Sequence, residues 1–276
     1  MNYPRTFDLA HWINEREAMR QRREANMLPP WSADPIMNTV RFCNVHREDD
    51  KVTRYIRSSG VYSGVDVPVC AVVLARMVNR IETLRALEEP VSRGDTEAVK
   101  TILKSRRSAG MTIWGNAYTI STCGKSMDKV DYVIDHVVRV VDRLSWVHDW
   151  DSLEAAHNAL MRVDGLGSFL AAQVVADLKN TPEHTLSRAP DWSTWCAPGP
   201  GSLRGLVAFW GTPVTPRTFA AQLQAAMPLV TPLIGKHVAP IHAQDMQNCL
   251  CEFSKYIRVK EGGHARNRYT AEAPKC

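Results

Sequence analysis

A mainly α fold is predicted by three observations. Apolar residues recur at helical spacing over long stretches, helix-starting and helix-stopping residues bracket those stretches, and few segments alternate as strands do. Asp34-Pro35 reads as an N-cap followed by proline at the first helical position. The helix it opens turns Ile36, Met37, Val40 and Cys43 toward a core and sets Arg41 and Asn44 one turn apart. Val69, Val72, Val73, Met77, Ile81 and Leu84 predict one central buried helix between Val67 and Leu87. A further helix begins at Asp95 and stops near Gly110, and another runs through Val130, Val133, Ile134, Val137, Val141 and Leu144. Residues 111–121, MTIWGNAYTIS, are the best strand candidate and read equally as a loop and short helix lining a cleft. Residues 181–213 are rich in proline, glycine and tryptophan and read as a long functional loop. Thr215-Pro216 repeats the capping device before FAAQLQAAM, and Asp245 to Arg258 form a last helix. The expected architecture is two packed helical lobes in a single domain over residues 1–258, with a basic tail over 259–276.

With 276 residues and 45% hydrophobic composition, the chain can bury a full core, which excludes disordered and fibrous classes. The net charge of +5 decides little by itself. Its distribution says more, because Arg258, Lys260, Arg266, Arg268 and Lys275 outnumber Glu261 and Glu272 at the end of the chain, as in a phosphate-contacting or simply solvated tail. Seven scattered cysteines form no disulfide rhythm and fit a reducing compartment. The close pair Cys249 and Cys251 falls on different faces of a helix, so neither zinc nor an iron–sulfur cluster is expected. No apolar leader or membrane-length apolar run occurs, which predicts a soluble, cytoplasmic chain with no membrane partner.

Five segments carry chemistry. In LMRVDGLGSFLAAQVVADL, Gly165 and Gly167 form a tight turn and Ser168 opens an apolar helix, a hairpin that can point backbone N–H groups at one phosphate of a DNA strand. Asp191, beyond that helix, can serve as a base or stabilise a cation, and reads equally as the N-cap of a short helix at Trp192 to Trp195. GPGSLRGL offers Ser202 and Arg204 on a backbone-rich loop suited to phosphate or pyrophosphate, or else is an ordinary Pro/Gly turn. Arg41, Asn44, Arg47 and Arg54 line a core boundary where polar groups need partners, supplied either by an anion or by Glu48, Asp49 and Asp50. On the last helix Asp245, Cys249, Glu252 and Tyr256 share a stripe with Lys255 beside it, forming a catalytic wall or a solvated face.

The hairpin, the helix after it and Asp191 resemble the helix-hairpin-helix DNA glycosylases, in which an essential aspartate sits at about that place. The lysine that bifunctional members carry after the hairpin is absent here, where Ser168 and Phe169 stand, so Schiff-base chemistry is not expected. Together PPWSADPIMNTVRFCNVHREDDKVTR, GLGSFLAAQVVADL, GPGSLRGL and CEFSKY resemble, in that order, the α-glutamyl/putrescinyl thymine pyrophosphorylases of bacteriophages, also described as amino acid:DNA transferases and related to the helical domain of the phage 5-hydroxymethyluracil DNA kinases.

The resemblance implies a glycosylase-like helical fold, action on double-stranded DNA inside an infected bacterium, and a base turned out of the stack. It implies displacement of pyrophosphate from 5-pyrophosphoryloxymethyluracil by a free amino acid or polyamine. Arg41, Arg47, Arg54, Arg204 and Lys255 would then hold the leaving group, Asp191 or Glu252 would take the amine's proton, and a Cys251 thiolate would add at ring carbon 6. Gly165, Gly167 and Ser168 would hold the DNA. No cofactor is required, although a divalent metal with the pyrophosphate or a monovalent ion at the hairpin would fit. Rival readings are a monofunctional glycosylase and a silent DNA-binding module; a kinase is disfavoured because no P-loop with its lysine is recognised. Trp192, Trp195 and Trp210 either stack on the flipped base or fill the core.

Overall fold

The structure, a computed structural model, describes residues 4–117, 119–144, 150–182, 184–265 and 268–269. It is mainly α. In chain order the helices are α1 (Thr6–Glu24), α2 (Pro35–Thr39), α3 (Lys51–Ser58), α4 (Val69–Val78), α5 (Ile81–Ser92), α6 (Thr96–Ser108), α7 (Lys129–Asp131), α8 (Arg139–Arg143), α9 (Leu153–Leu160), α10 (Ser168–Lys179), α11 (Pro200–Trp210), α12 (Phe219–Val230) and α13 (Ala243–Lys260). A π-helical stretch, Tyr132–Val138, runs between α7 and α8. Among the described residues the only β feature is an isolated antiparallel bridge between Val40 and Arg268.

The chain divides into two compact units, one formed by Met1–Asp50 with Cys196–Cys276 and the other by Lys51–Trp195. α13 continues through residue 258 to Lys260, Ala265 is buried, and the Tyr269 amide donates to Thr39 O at 2.9 Å, so the described part of the expected tail packs on its unit.

In the continuous unit, α4 is buried on nearly every side, as its composition predicts. The predicted single helix over 67–87 is in fact α4 and α5, because Asn79 takes a left-handed conformation, φ 46°, and ends α4. The strand candidate at 111–121 is irregular where described, and it explains the break. Gly115 donates to Val78 O at 2.8 Å, and a Cβ on Gly115 would lie 2.2 Å from Asn79 O. α6 begins as expected, with Asp95 accepting the Ala98 amide, and stops before Gly110, φ +76°. At the centre Arg76 on α4 meets Asp177 on α10, each 1% exposed, through Nε to Oδ2 and through Nη2 to Oδ1 at 2.6 Å. Arg76 Nη2 also donates to Thr53 Oγ1, and Arg57 Nη1 donates to Asp177 O and Thr181 Oγ1, so α3, α4 and α10 share one polar knot.

The discontinuous unit is built around α1, α11, α12 and α13. The closest approach is α11 on α13, where a Cβ on Gly205 would sit 1.9 Å from Leu250 O. α2 starts as predicted, with Asp34 Oδ1 capping Ile36 and Met37, but it ends at Thr39, so Arg41 and Asn44 do not lie on a helix. The loop expected over 181–213 contains α11, opened by Gly199. The helix expected after Thr215-Pro216 begins only at Phe219, because Thr215 and Thr218 close a turn on each other's hydroxyls first.

Replacing Asp177 with Asn strands the buried Arg76 charge, a change of about 3–5 kcal/mol. The urea midpoint of the variant is expected to fall accordingly, and the apolar pair Arg76→Met with Asp177→Leu is expected to recover most of the loss.

Candidate functional site

In the discontinuous unit the stripe singled out on α13 clamps the non-helical run that follows α2. Glu252, buried, accepts the Cys43 amide at 3.0 Å and Lys255 Nζ at 2.6 Å, both on Oε2. Lys255 Nζ also donates to Arg41 O at 3.2 Å and stands over the Phe42 ring. Asn248 Nδ2 donates to Asn44 O at 2.8 Å, and the buried Cys249 thiol faces Val45 O. From the opposite side Arg16 on α1, buried, donates Nε to Cys43 O at 2.9 Å and Nη2 to Asn44 Oδ1, while Asn44 Nδ2 reaches Asp49 O. The stripe is therefore not a solvated face. Tyr256 extends it by donating to Asp34 Oδ2 at 2.7 Å, which ties α13 to the cap of α2.

Glu252 keeps one acceptor unused, since Oε1 makes no hydrogen bond among the described residues. The exposed guanidiniums of Arg41 and Arg204 form no ion pair among the described residues. Cys251 lies over Gly201, where a Cβ would meet its Sγ at 2.2 Å. Burial, reinforced by Glu252, raises its thiol above the ordinary value against the pull of Lys255 and Arg204. At neutral pH it is a thiol, not a ready thiolate. Ser202 is fully buried and completes the cap of α11, accepting the Gly199 amide at 3.0 Å and Gln247 Nε2 at 3.3 Å, so its hydroxyl faces the helix end. Arg47 pairs with Glu48 on a 3-10 turn. Arg54 stands exposed on α3 in the other unit.

Glu17, His46 and Asp49 bring three metal-ligating atoms within 4.8 Å of one another. Arg20 already supplies the positive charge, at 2.5 Å from Glu17 Oε1 and 3.1 Å from Asp49 Oδ2, so the donor set suits a guanidinium better than a cation.

In the continuous unit α9 and α10 form the hairpin. Gly165 has φ +96°, and a Cβ there would meet the Tyr132 hydroxyl and Val137 at 2.9 Å, so glycine is required twice over. Gly167 caps α10 with open space on its Cβ side, and Phe169, in the first turn, is 52% exposed. His157 Nε2 bonds Ser168 O at 3.0 Å and Ser168 Oγ at 3.2 Å, fixing the turn from below. Asp191 does not cap the turn at 192–195 through its carboxylate. Its Oδ1 and Oδ2 accept the Leu153 and Glu154 amides at 2.8 and 3.0 Å, closing the start of α9. Trp192 is held by Lys179, Nε1 donating to Lys179 O and the ammonium 4.1 Å from its ring centroid.

Arg16 and His157 were not among the sequence candidates. The signal was present, since Arg16 continues the apolar register of Trp12, Ile13 and Met19, where a charge must find buried partners.

Burial lowers His157 below its ordinary 6.5, so the folded hairpin prefers the neutral ring. The unfolded chain then binds the extra proton first, and stability falls as pH drops below about 6.5. His157→Gln is expected to lose less in urea midpoint between pH 7.5 and 5.5 than the parent chain; equal losses would detach the effect from this residue.

Residues 4–265 match the family described as 5-hmdU DNA kinase, helical domain. A 5-hmdU DNA kinase of Bacillus phage SP10 is 26% identical over 200 residues, covering 64% of this chain and 31% of that protein. The chain thus spans about a third of the length of this curated relative. No solved structure gives a significant match. With nearly its whole length matched, the chain belongs to the family of 5-hmdU DNA kinase helical domains.

Proposed function

We propose that this chain acts in phage thymine hypermodification, transferring an amine onto 5-pyrophosphoryloxymethyluracil in double-stranded DNA and releasing pyrophosphate. The relative's name places 5-hydroxymethyldeoxyuridine in DNA as that protein's substrate, and the shared part is helical. A kinase reading draws less support from this chain. Its Gly124-Lys125-Ser126 triad has Thr119 where a P-loop carries its first glycine, and it sits in a turn.

The observation that carries the proposal is the Glu252–Lys255 pair. A buried carboxylate keeps an unbonded oxygen while its other oxygen is held by an ammonium at 2.6 Å, the same Lys255 bonds the Arg41 backbone, and Arg204 acts on the neighbouring Cys251. The exocyclic C–O bond breaks, the electron pair leaves on pyrophosphate, and Lys255, Arg41 and Arg204 receive that charge. The amine nitrogen forms the new C–N bond, and Glu252 Oε1 accepts the proton it sheds. Asp191, with both oxygens engaged by α9 amides, serves as a positioning residue for the hairpin, which would grip the DNA through Gly167, Ser168 and neighbouring backbone. The amine is a free amino acid or polyamine, and the setting is the infected host cell.

Purified protein, a duplex carrying 5-pyrophosphoryloxymethyluracil and a pool of amino acids and polyamines are expected to yield an aminomethyl nucleoside by mass spectrometry, with pyrophosphate released. Glu252→Gln should slow the reaction about 100-fold or more, whereas Cys251→Ser should keep its rate. Free base and abasic sites would replace this reading with a glycosylase, and phosphorylation of a 5-hydroxymethyluracil duplex by ATP would replace it with a kinase.

A further inference from the structure

The discontinuous unit also carries a cluster of arginines, Arg41 among them, built on two aromatic rings. Arg23 Cζ lies 5.0 Å from the Trp31 ring centroid and 5.4 Å from that of Tyr269, and Arg41 Cζ lies 5.6 Å from the same Tyr269 ring. The rings meet edge to face at 6.0 Å. Tyr269 is itself fixed, by its amide to Thr39 O, by the neighbouring Arg268–Val40 bridge, and by Arg23 Nη1 donating to its hydroxyl at 3.1 Å. Arg23, Arg41 and Arg268 are exposed, and none of the three forms an ion pair among the described residues.

Two guanidiniums on one ring repel each other, and the cluster holds no acidic side chain to offset this. A guanidinium held over an aromatic ring can still offer N–H edges to phosphate oxygens, the groups that it grips in a fork. All three side chains are exposed, which suits a polyanion laid across them. We propose that Arg23 and Arg41, held on Trp31 and Tyr269, and the neighbouring Arg268, whose backbone is bridged to Val40, form a grip for the phosphodiester backbone of a DNA strand. The grip reads no base, and its contribution is affinity that salt weakens. It rests on the reading that DNA is the substrate, but not on the amine-transfer chemistry.

The test is fluorescence anisotropy of an unmodified labelled duplex titrated with full-length protein at several salt concentrations, which requires no turnover. Arg23→Gln with Arg268→Gln is expected to weaken binding about tenfold near physiological salt and to reduce the slope of log affinity against log salt by about one per lost contact. Arg23→Lys, which keeps the charge but loses the stacked fork, should fall between the two. A double variant with parental affinity and slope overturns the proposal, as does a parent chain that binds no DNA. An inactive protein whose double variant still loses affinity and slope would sink the transferase reading while leaving the grip in place.

Discussion

Residues 41–45 follow α2 with neither a helix nor a paired strand to satisfy their backbone, and the architecture of their unit follows from how that need is met. Arg41 O, Cys43 N, Cys43 O, Asn44 O and Val45 O are taken up by Lys255, Glu252, Arg16, Asn248 and Cys249. Each buried backbone group left unpaired would cost about 1–3 kcal/mol, so α1 and α13 are held at a fixed distance on either side of the run. A carboxylate clamped by an amide and an ammonium is held in one orientation.

The continuous unit solves a related problem differently. Its helices bury a guanidinium and a carboxylate outright, and Arg76, Asp177, Thr53 and Arg57 satisfy one another across α3, α4 and α10. A bidentate pair has one good geometry, so it fixes the rotation of α10 about its own axis. The hairpin is the start of that helix, and its orientation inherits that constraint.

Much of this was legible in the sequence where the signal was local. Caps at Asp34 and Asp95, the glycine turn, the buried α4 and the α13 stripe are written in short-range patterns, and they stand where expected. What was misread depends on partners distant in sequence. Asn79 ends a helix that periodicity would continue, because Gly115 packs against it. Arg41 and Asn44 leave the helix because α13, some two hundred residues later, offers better hydrogen bonds than another helical turn would. Asp191 and Ser202 carry residue types that suit catalysis or phosphate, and their oxygens also close helix ends, a use that type and spacing alone do not reveal. The pairing of Tyr269 with Thr39 had no sequence signal at all.

The split of one unit around the other has a consequence for synthesis. Residues 1–50 emerge from the ribosome before any of their α11 to α13 partners exist. At roughly 5–20 residues per second, the intervening unit takes on the order of 10–30 seconds to be made. During that interval α1 exposes Trp12, Ile13 and a charged Arg16 intended for burial, while Lys51–Trp195 can close its own core. The nascent chain therefore has a built-in order, inner unit first, and a window in which its leading segment depends on chaperones or on its own polar face to stay unassociated.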